Sequence, residues 1–170
     1  DIIPISDCLI AGEELHVEQI ALEKYKPMEP IEVPQGDQIK EVKGKKLLVK
    51  AGAFWQRHRG APDTLTTEFL RLANLKSGEH LLDLYGGVGL FTSQLLALVG
   101  ESGRIDLVEG SKSATRDALR NFANFTNVGI HTGDVEKILP RFSKADVIVL
   151  DLPREGAGKN VVAAMVLLKP

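Results

Sequence analysis

The sequence lacks several features that would place it in a common class of proteins. Its 170 residues include a single cysteine, Cys8, which excludes an internal disulfide, a cysteine zinc site and an iron–sulfur cluster. It contains no stretch of about 18 apolar residues and no recognisable signal peptide, which excludes a membrane-spanning helix. A formal net charge of −2 gives no overall sign of a protein that binds nucleic acid or membranes. We therefore predict a cytoplasmic protein with no metal site and no membrane partner.

The chain divides into two unequal parts. Its length and its hydrophobic content of 44% suit one domain with an appendage. The segment KPMEPIEVPQGD, residues 26–37, carries three prolines among acids, which favours extended or linker-like backbone. The following EVKGKKLLVK predicts a pair of short strands that turn at Lys43-Gly44. We place the start of the main domain at residue 50, after a small β-containing segment over residues 1–49.

From Pro62 onward, apolar strands alternate with amphipathic helices. The first helix follows Pro62, and Asp63 or Thr64 is expected to cap it. The predicted strands are HLLDLY, RIDLVEG, VGIHTG and ADVIVLD, with helices between them and a last helix over residues 159–168. Strands that are almost entirely apolar and alternate with helices indicate a parallel sheet covered on both faces. The predicted fold is a doubly wound α/β domain.

Four parallel strands make only part of such a sheet. If the sheet continues beyond ADVIVLD, the edge of that strand is left without a partner, which favours association. We therefore interpret the chain as a piece of a larger protein. The exposed edge is a potential contact for self-association.

The segment LLDLYGGVGLF, residues 81–91, is an apolar run that breaks into three glycines within four positions. In an open α/β sheet, ligands bind at the carboxyl ends of the strands, and glycine there allows the backbone to approach a ligand closely. The lysine of a phosphate-binding loop is absent, which excludes that motif. A dinucleotide-binding loop is disfavoured because Thr92 stands where its third glycine belongs. A tight turn without a ligand is the other interpretation.

Acidic residues near the predicted strand ends favour one type of ligand. Glu109 ends the second strand, 20 residues beyond Gly89, where a carboxylate can accept from both hydroxyls of an adenosine ribose. Asp134 follows the third strand and can accept from an adenine amine, cap the next helix, or do both. Asp83 precedes the glycines and suits a cationic sulfonium better than a pyrophosphate. The set that together favours S-adenosylmethionine is Asp83, Gly86, Gly87, Gly89, Glu109 and Asp134.

Four short segments, AFWQRH, LLDLYGGVGLF, LVEG and VIVLDLPREGAG, follow one another in a recognisable order. In that order they resemble the RNA uracil-5 methyltransferases, which methylate carbon 5 of a uridine in ribosomal or transfer RNA. The resemblance covers residues 50–170, and the joint occurrence of an F-x-Q and a D-x-P-R-x-G segment is much more specific than the glycine loop. Residues 1–49 resemble, less specifically, a remnant of the family's central domain. The resemblance implies a Rossmann-like class I methyltransferase sheet, here incomplete.

The resemblance also implies roles for individual residues. Gln56 of FWQ and Tyr85, with the adjacent glycines, would contact the methyl donor. Glu109 would hold the ribose, and Asp134 would lie near the adenine. Asp151 of DLPR resembles the aspartate that lies near both the cofactor and the target base. The alternatives are a surface amide for Gln56, a core aromatic for Tyr85 and a strand-end cap for Asp151.

Clustered positive charge indicates where RNA would bind. Lysines crowd residues 40–50, and phosphate neutralisation needs only such a cluster, although a solvated polar face is the alternative. Arg154 would either meet an RNA phosphate or pair with a neighbouring acid. The predicted RNA-contact residues are Lys43, Lys45, Lys46, Arg57 and Arg154.

The chain departs from the family pattern in three respects. Leu152 replaces the first proline of D-P-P-R, and Gly86 stands where a non-nucleophilic cysteine is common. The family's nucleophilic cysteine, which attacks carbon 6 of uracil, and its general base belong to segments that would follow Pro170. Cys8 lies in the wrong place for this role and is interpreted as a small buried hydrophobe. We therefore expect the chain to bind S-adenosylmethionine but not to turn over.

Three other functions are compatible with parts of the sequence. A class I methyltransferase with a protein or small-molecule substrate would share the cofactor site. A nicotinamide-dependent dehydrogenase would use a similar loop, but Thr92 weakens this interpretation. A non-catalytic interaction fragment would pair with another chain through the exposed sheet edge.

Overall fold

The structure, a computed structural model, describes residues 36–51, 53–56, 58, 60–153 and 156–170. Most of the proline-rich segment, Cys8, Arg57 and Arg154 lie outside the described residues. Within them, no helix is long and apolar enough to cross a membrane. The same residues contain no group of three or more histidine, cysteine or acidic side chains arranged to hold a metal ion.

The described chain begins with a β-hairpin. Strand β1 (Gln38–Val42) pairs antiparallel with β2 (Lys45–Val49). The two turn residues, Lys43 and Gly44, both have positive φ, of 47° and 76°. A two-residue turn of this kind matches the right-handed twist of the strands it joins. The predicted pair of short strands is confirmed.

Beyond the hairpin, helices and strands alternate as the sequence predicts. In chain order they are α1 (Ala61–Leu72), β3 (His80–Leu84), α2 (Leu90–Val99), β4 (Arg104–Glu109), α3 (Lys112–Asn121), β5 (Val128–Thr132), α4 (Val135–Ile138), a 3-10 turn (Leu139–Arg141), β6 (Val147–Leu150) and α5 (Gly158–Leu168). The four later strands form one parallel sheet in the order β5-β4-β3-β6. The predicted doubly wound α/β fold is confirmed.

The strand order reverses at β3, which places the switch point of the sheet between β3 and β6. The chain runs outward from β3 through β4 to β5 and then returns to add β6 on the other side of β3. Helices α1, α2 and α3 pack on one face of the sheet, and α4 and α5 pack on the other. The connections after β3 and β6 therefore diverge and leave a crevice at the carboxyl ends, where open α/β sheets bind ligands.

The hairpin packs on the same face as α2 and α3. Val42 and Leu47 are buried in one cluster with Leu81 of β3 and Leu95 of α2. Val49 is buried in a smaller neighbouring cluster. The described part of the first segment thus shares a hydrophobic core with the sheet, and the domain boundary at residue 50 stays a prediction.

On the face that carries α4 and α5, a buried carboxylate binds three basic side chains. Asp106 of β4 is 1% exposed. It accepts from Nε and Nη2 of Arg104 at 2.6 and 2.8 Å, and it bonds to Nε2 of His80 at 2.8 Å and of His131 at 2.7 Å. Burial opposes ionisation, but the bonds from the three partners outweigh it and lower the pKa of Asp106 from 3.8 to about 2. The strand opposite has Gly129 at this level, where a Cβ would collide with the Asp106 carboxylate.

The start of α1 differs from the prediction. Gly60 is the N-cap residue and makes no side-chain capping bond, so the predicted cap by Asp63 or Thr64 is wrong. Pro62 lies in the first turn, where its missing N–H leaves one fewer donor without a partner. The start of the helix therefore has a proline in its first turn and no capping side chain.

Strand β6 forms one edge of the sheet, because among the described residues it pairs with β3 alone. The helix that follows, α5, exposes the apolar side chains of Val162, Val166 and Leu167. The continuation of the sheet beyond this edge stays a prediction. Self-association through that edge stays a prediction.

Candidate functional site

The glycine-rich loop leaves β3 in a left-handed conformation. Tyr85, Gly87 and Gly89 have φ of 61°, 56° and 96°, and Gly89 is the N-cap residue of α2. A left-handed tyrosine is uncommon because its Cβ crowds the backbone, a cost that glycine does not carry. The N–H of Gly86 donates to the carbonyl oxygen of Val108 at 3.2 Å. This bond holds the loop against β4, at the carboxyl end of the sheet.

The three glycines of the loop differ in the space that a side chain would find. A Cβ on Gly86 would lie 2.6 Å from Cγ of Leu107, and one on Gly89 would overlap the ring of Phe122. A Cβ on Gly87 would meet no atom within 4 Å, so only its positive φ disfavours a side chain. The space beside Gly87 is therefore open, and a ligand can approach the loop backbone closely there.

Glu109 at the end of β4 links the loop to the start of α3. Its Oε2 accepts from the N–H of Gly87 at 3.0 Å, and its Oε1 accepts from the N–H of Ser111 at 2.7 Å. A carboxylate has about four acceptor positions, so two backbone bonds leave capacity for a ligand. The predicted ribose acceptor thus lies beside the open side of the loop, and its contact with a ribose stays a prediction.

Asp134 is placed beside Tyr85 and caps α4. Its Oδ1 accepts from the N–H of Glu136 at 3.0 Å. Burial, followed by the charges of Asp134 and Glu136, raises the pKa of the half-buried Tyr85. The capping role considered for Asp134 is therefore present. Contact with an adenine is compatible with that role, because the side chain is 55% exposed, and it stays a prediction.

The segment FWQ and the end of β6 meet in the structure. Nε2 of Gln56 donates to Oδ2 of Asp151 at 3.1 Å, across 95 residues of sequence. Burial raises the pKa of Asp151, and the hydrogen bond from Gln56 opposes that shift. Trp55 packs against the core, whereas Phe54 is 74% exposed. The two segments on which the family resemblance depends thus form one contact beside the switch point of the sheet.

Asp83 lies directly behind the glycine loop and is fully buried. Its Oδ2 accepts from the N–H and the hydroxyl of Thr92 at 3.1 and 2.7 Å, while its Oδ1 has no partner among the described residues. Burial raises the pKa of Asp83 from 3.8 to about 6; the Thr92 bonds oppose the shift, and the charges of Asp151 and Glu109 add to it. A Cβ on Gly86 would lie 3.0 Å from Cγ of Asp83, so the loop backbone comes very close to this carboxylate. Direct contact with a cofactor stays a prediction.

Two residues of this site are not singled out by the sequence. Thr92 enters the prediction only as the residue that replaces a third glycine, yet its hydroxyl and N–H hold Asp83. The available signal is a hydroxyl residue in the first turn of the helix that follows a strand-end acid. Asn121 of α3 also contacts the loop, through Val88.

Among the described residues, acidic side chains gather at the carboxyl end of the sheet. None of Asp83, Glu109 and Asp151 makes an ion pair with a lysine, arginine or histidine in the described part of the chain. The charges of Asp151 and Glu109 lower the tendency of Asp83 to ionise. Such an unneutralised cluster around an open loop favours a ligand that brings positive charge and hydroxyl donors.

The predicted RNA-contact lysines lie on the hairpin. Lys43, Lys45 and Lys46 are exposed, and none of them has an ion-pair partner among the residues that the structure describes. Lys45 and Lys46 border an open groove of about 810 Å³, whose other walls are the end of α2 and residues 121–127. The groove is lined by no residue of the glycine loop, so it is separate from the acidic cluster.

A family model, Protein-L-isoaspartate(D-aspartate) O-methyltransferase (PCMT), matches residues 57–163, more than half of the chain. This region contains the glycine loop and all four strands of the parallel sheet. The chain therefore belongs to the family that this model describes, and with it to the S-adenosylmethionine-dependent methyltransferases. The name of the model refers to a protein substrate, but the matched region is the cofactor-binding fold and does not by itself distinguish substrates.

Curated relatives that resemble this chain are named RNA methyltransferases. An uncharacterised RNA methyltransferase of Streptomyces avermitilis is 42% identical over 127 residues, which are 74% of this chain and 29% of the relative. One of Streptomyces coelicolor is 45% identical over 116 residues, which are 67% of this chain and 25% of the relative. The chain spans less than a third of the length of these relatives.

A solved structure shares the fold. The tRNA (uracil-54, C5)-methyltransferase of Pyrococcus abyssi, in complex with S-adenosyl-L-homocysteine, superposes with a TM-score of 0.64 at 21% identity. The match covers 79% of this chain and 32% of that chain. The predicted Rossmann-like methyltransferase sheet is therefore confirmed.

Proposed function

We propose that the chain is the S-adenosylmethionine-binding part of an enzyme that methylates carbon 5 of a uridine in ribosomal or transfer RNA. The hydrogen bond between Gln56 and Asp151 carries this proposal. It joins the F-x-Q and D-x-P-R segments, which together distinguish the RNA uracil-5 methyltransferases from other proteins with a glycine loop. Two segments that serve one substrate must lie together, and their contact in one crevice supports that role.

The residues at the carboxyl end of the sheet fit S-adenosylmethionine. The open space beside Gly87 admits a ligand to the loop backbone. Glu109 would accept from the ribose hydroxyls with its remaining acceptor positions, and Asp134 would accept from the adenine amine. Asp83 supplies a negative charge behind the loop, which favours a sulfonium cation over a neutral or anionic ligand. Tyr85, between Asp83 and the glycines, would line the same side of the ligand.

The substrate side of the site would be formed by Asp151 and Gln56. S-adenosylmethionine supplies an electrophilic methyl group when it is bound. The bond from Gln56 uses one acceptor position of Asp151, and the carboxylate keeps others for the N–H of a uracil ring. The covalent step of the family needs a cysteine and a general base, which the resemblance assigns to segments after Pro170. We therefore expect this chain to bind the cofactor without turning over.

RNA would contact the hairpin through Lys43, Lys45 and Lys46. Their ammonium groups are exposed and can neutralise phosphate. Phe125, which is 47% exposed in the groove beside Lys45 and Lys46, offers a ring on which an unpaired base can stack. Contacts by Arg57 and Arg154 stay predictions, because both residues lie outside the described ranges.

Calorimetric titration of the chain with S-adenosylhomocysteine tests the cofactor. Binding supports the proposal, and Glu109→Ala should weaken it. A folded sample that does not bind, or that binds NADH in a fluorescence titration with comparable affinity, would contradict the proposed cofactor and favour a dehydrogenase.

Methyl transfer by the full-length protein tests the substrate. RNA treated with radiolabelled S-adenosylmethionine and digested to nucleosides should carry the label in 5-methyluridine. Label found on protein and released by mild base, as methyl esters are, would contradict the RNA assignment. That outcome would favour a substrate of the kind that the PCMT family model names.

A further inference from the structure

A single amide side chain joins the hairpin to the glycine loop. Oδ1 of Asn121, at the end of α3, accepts from the N–H of Leu48 at 2.8 Å, and its Nδ2 donates to the carbonyl oxygen of Leu48 at 3.2 Å. The same Nδ2 donates to the carbonyl oxygen of Val88 at 3.0 Å. Leu48 lies in β2 and Val88 lies in the glycine loop, so one residue holds both elements.

Only one orientation of this amide satisfies the surrounding groups. Rotation by 180° would turn Nδ2 of Asn121 toward the N–H of Leu48 and its oxygen toward two carbonyl oxygens. In the observed orientation, both N–H donors and the oxygen have partners. Asn121 therefore continues the hydrogen-bonding pattern of β2, as a neighbouring strand would, while it also reaches the loop.

Further contacts connect α3 and the glycine loop to the segment that carries Gln56. Oδ2 of Asp117, one turn earlier in α3, accepts from the N–H of Lys50 at 2.9 Å. Beyond Lys50, the chain passes over an apolar cluster that includes the loop. The cluster consists of buried Val49, Val88 and Ala114, with Ala53 and Trp55 packed against them. The segment that ends at Gln56 is thus held by α3 on one side and by the loop on the other.

We propose that Asn121 is a positioning residue of the cofactor site, which fixes the segment carrying Gln56 against the glycine loop. The inference rests on the proposed function, in which Gln56 and the loop contact the same cofactor. Without the amide, the carbonyl oxygen of Val88 and the outer edge of β2 lose their partners. Fewer bonds then fix the hairpin relative to the loop, and the distance between the two halves of the site is less constrained.

Hydrogen exchange on the free chain tests the link without a ligand. Asn121→Ala should speed exchange over residues 47–56 and 85–89 together. Asn127→Ala is the matched control, because Nδ2 of Asn127 donates to the carbonyl oxygens of Gly100 and Gly103 at 2.9 and 3.1 Å, at the other end of the sheet. The control should leave both segments unchanged. Unchanged exchange in both segments of Asn121→Ala would overturn the inference.

Titration with S-adenosylhomocysteine tests the consequence for the site, at a temperature at which all variants are folded. Asn121→Ala should bind about tenfold more weakly than the unaltered chain, and Asn127→Ala should bind equally well. Gln56→Ala should lose much less affinity in the Asn121→Ala background, because both residues act through one link. Fully additive losses, or unchanged binding by Asn121→Ala, would overturn the inference. Absence of binding by the unaltered chain would contradict the proposed cofactor, and the exchange result would then decide the link alone.

Discussion

Asp83 and Asp106 are buried carboxylates on neighbouring strands of one sheet, and their surroundings are opposite. Asp106 receives bonds from Arg104, His80 and His131, and its pKa is lowered to about 2. Asp83 is also buried, but Thr92 alone donates to it, and its pKa is raised to about 6. Both side chains are shielded from solvent, so the partners, together with the deeper burial of Asp83, account for the difference.

The comparison separates a charge that stabilises the fold from a charge that we propose serves a ligand. At Asp106, Arg104 neutralises the carboxylate and two histidines bond to it, on the other face of the sheet. At Asp83, the charge is kept unneutralised directly behind that loop, although it lowers stability at neutral pH. Groups with strongly shifted pKa values in a crevice are candidates for function. We therefore expect the destabilising charge of Asp83 to belong to a site that binds a cation.

The largest expected effect is a loss of stability on removing the neutralised charge. Asp106→Asn should lower the free energy of unfolding by about 4 kcal/mol, because it breaks a buried charge network. Since the folded pKa of Asp106 is lowered, its contribution is present above pH 3.8 and is lost as the pH falls toward 2. Urea denaturation measures the change. Glu68→Gln, at an exposed pair with Arg71, is the control and should cost less than about 1 kcal/mol; an equal loss in both variants would contradict the assignment.

Removing the unneutralised charge should have the opposite effect. Because the folded pKa of Asp83 is raised, its stabilisation is full below pH 3.8 and is lost as the pH rises through 6. A shift from 3.8 to about 6 corresponds to about 3 kcal/mol of pH-dependent stability. Asp83→Asn keeps an acceptor for Thr92 and should unfold at higher urea than the unaltered chain at pH 8, but not at pH 4. If the variant is less stable than the unaltered chain at pH 8, the charge of Asp83 does not lower the free energy of unfolding.

The glycine beside each aspartate allows a matched pair of substitutions. A Cβ at Gly86 would crowd Asp83 and Leu107, and one at Gly129 would collide with Asp106. Gly86→Ala and Gly129→Ala should each lower the free energy of unfolding by about 2 kcal/mol, as overpacking does. Only Gly86→Ala should also weaken S-adenosylhomocysteine binding in a calorimetric titration. Weakened binding in both folded variants would contradict the proposal that only the region around Asp83 serves the ligand.

The smallest expected effect distinguishes ligands by charge. S-adenosylmethionine carries a sulfonium cation, whereas S-adenosylhomocysteine carries a neutral sulfur. Asp83→Asn should therefore weaken the first about fivefold more than the second, because only the first loses a charge interaction. Asp63→Asn, at an exposed acid of α1, is the control and should affect neither ligand. Equal losses for both ligands would show that Asp83 acts through the loop conformation and not through its charge.

Local patterns made the fold predictable. Apolar runs bounded by glycine predict the four parallel strands, and Lys43-Gly44 predicts the turn of the hairpin. Both signals can be read from the sequence because they depend on neighbouring residues. The predicted cap of α1 was wrong because the helix starts after Gly60, with Pro62 in its first turn and no capping side chain. The burial of Val42 and Leu47 against the sheet could not be predicted, since it depends on how two separated segments pack.

The residues of the candidate site could be proposed from the sequence, but their contacts with one another could not. Glu109, Asp134 and the glycines are marked by their positions at strand ends. The bonds that join Asn121 to Leu48 and Val88 have no such marker. The bond from Thr92 to Asp83 is marked only by a hydroxyl residue in the first turn of the helix that follows a strand-end acid. Leu48 and Asn121 are separated by 73 residues, and ordinary polar residues at that separation reveal a contact only after folding.

The contact between Gln56 and Asp151 closes a loop of 95 residues. Closing a loop of this length costs more chain entropy than forming the turn between β3 and α2. The crevice at the switch point is therefore complete only after β6 has joined the sheet. A ligand that needs both sides of the crevice binds the finished fold alone, and its occupancy shifts the folding equilibrium by mass action. Cofactor binding and the folding equilibrium of the chain would in this way be coupled.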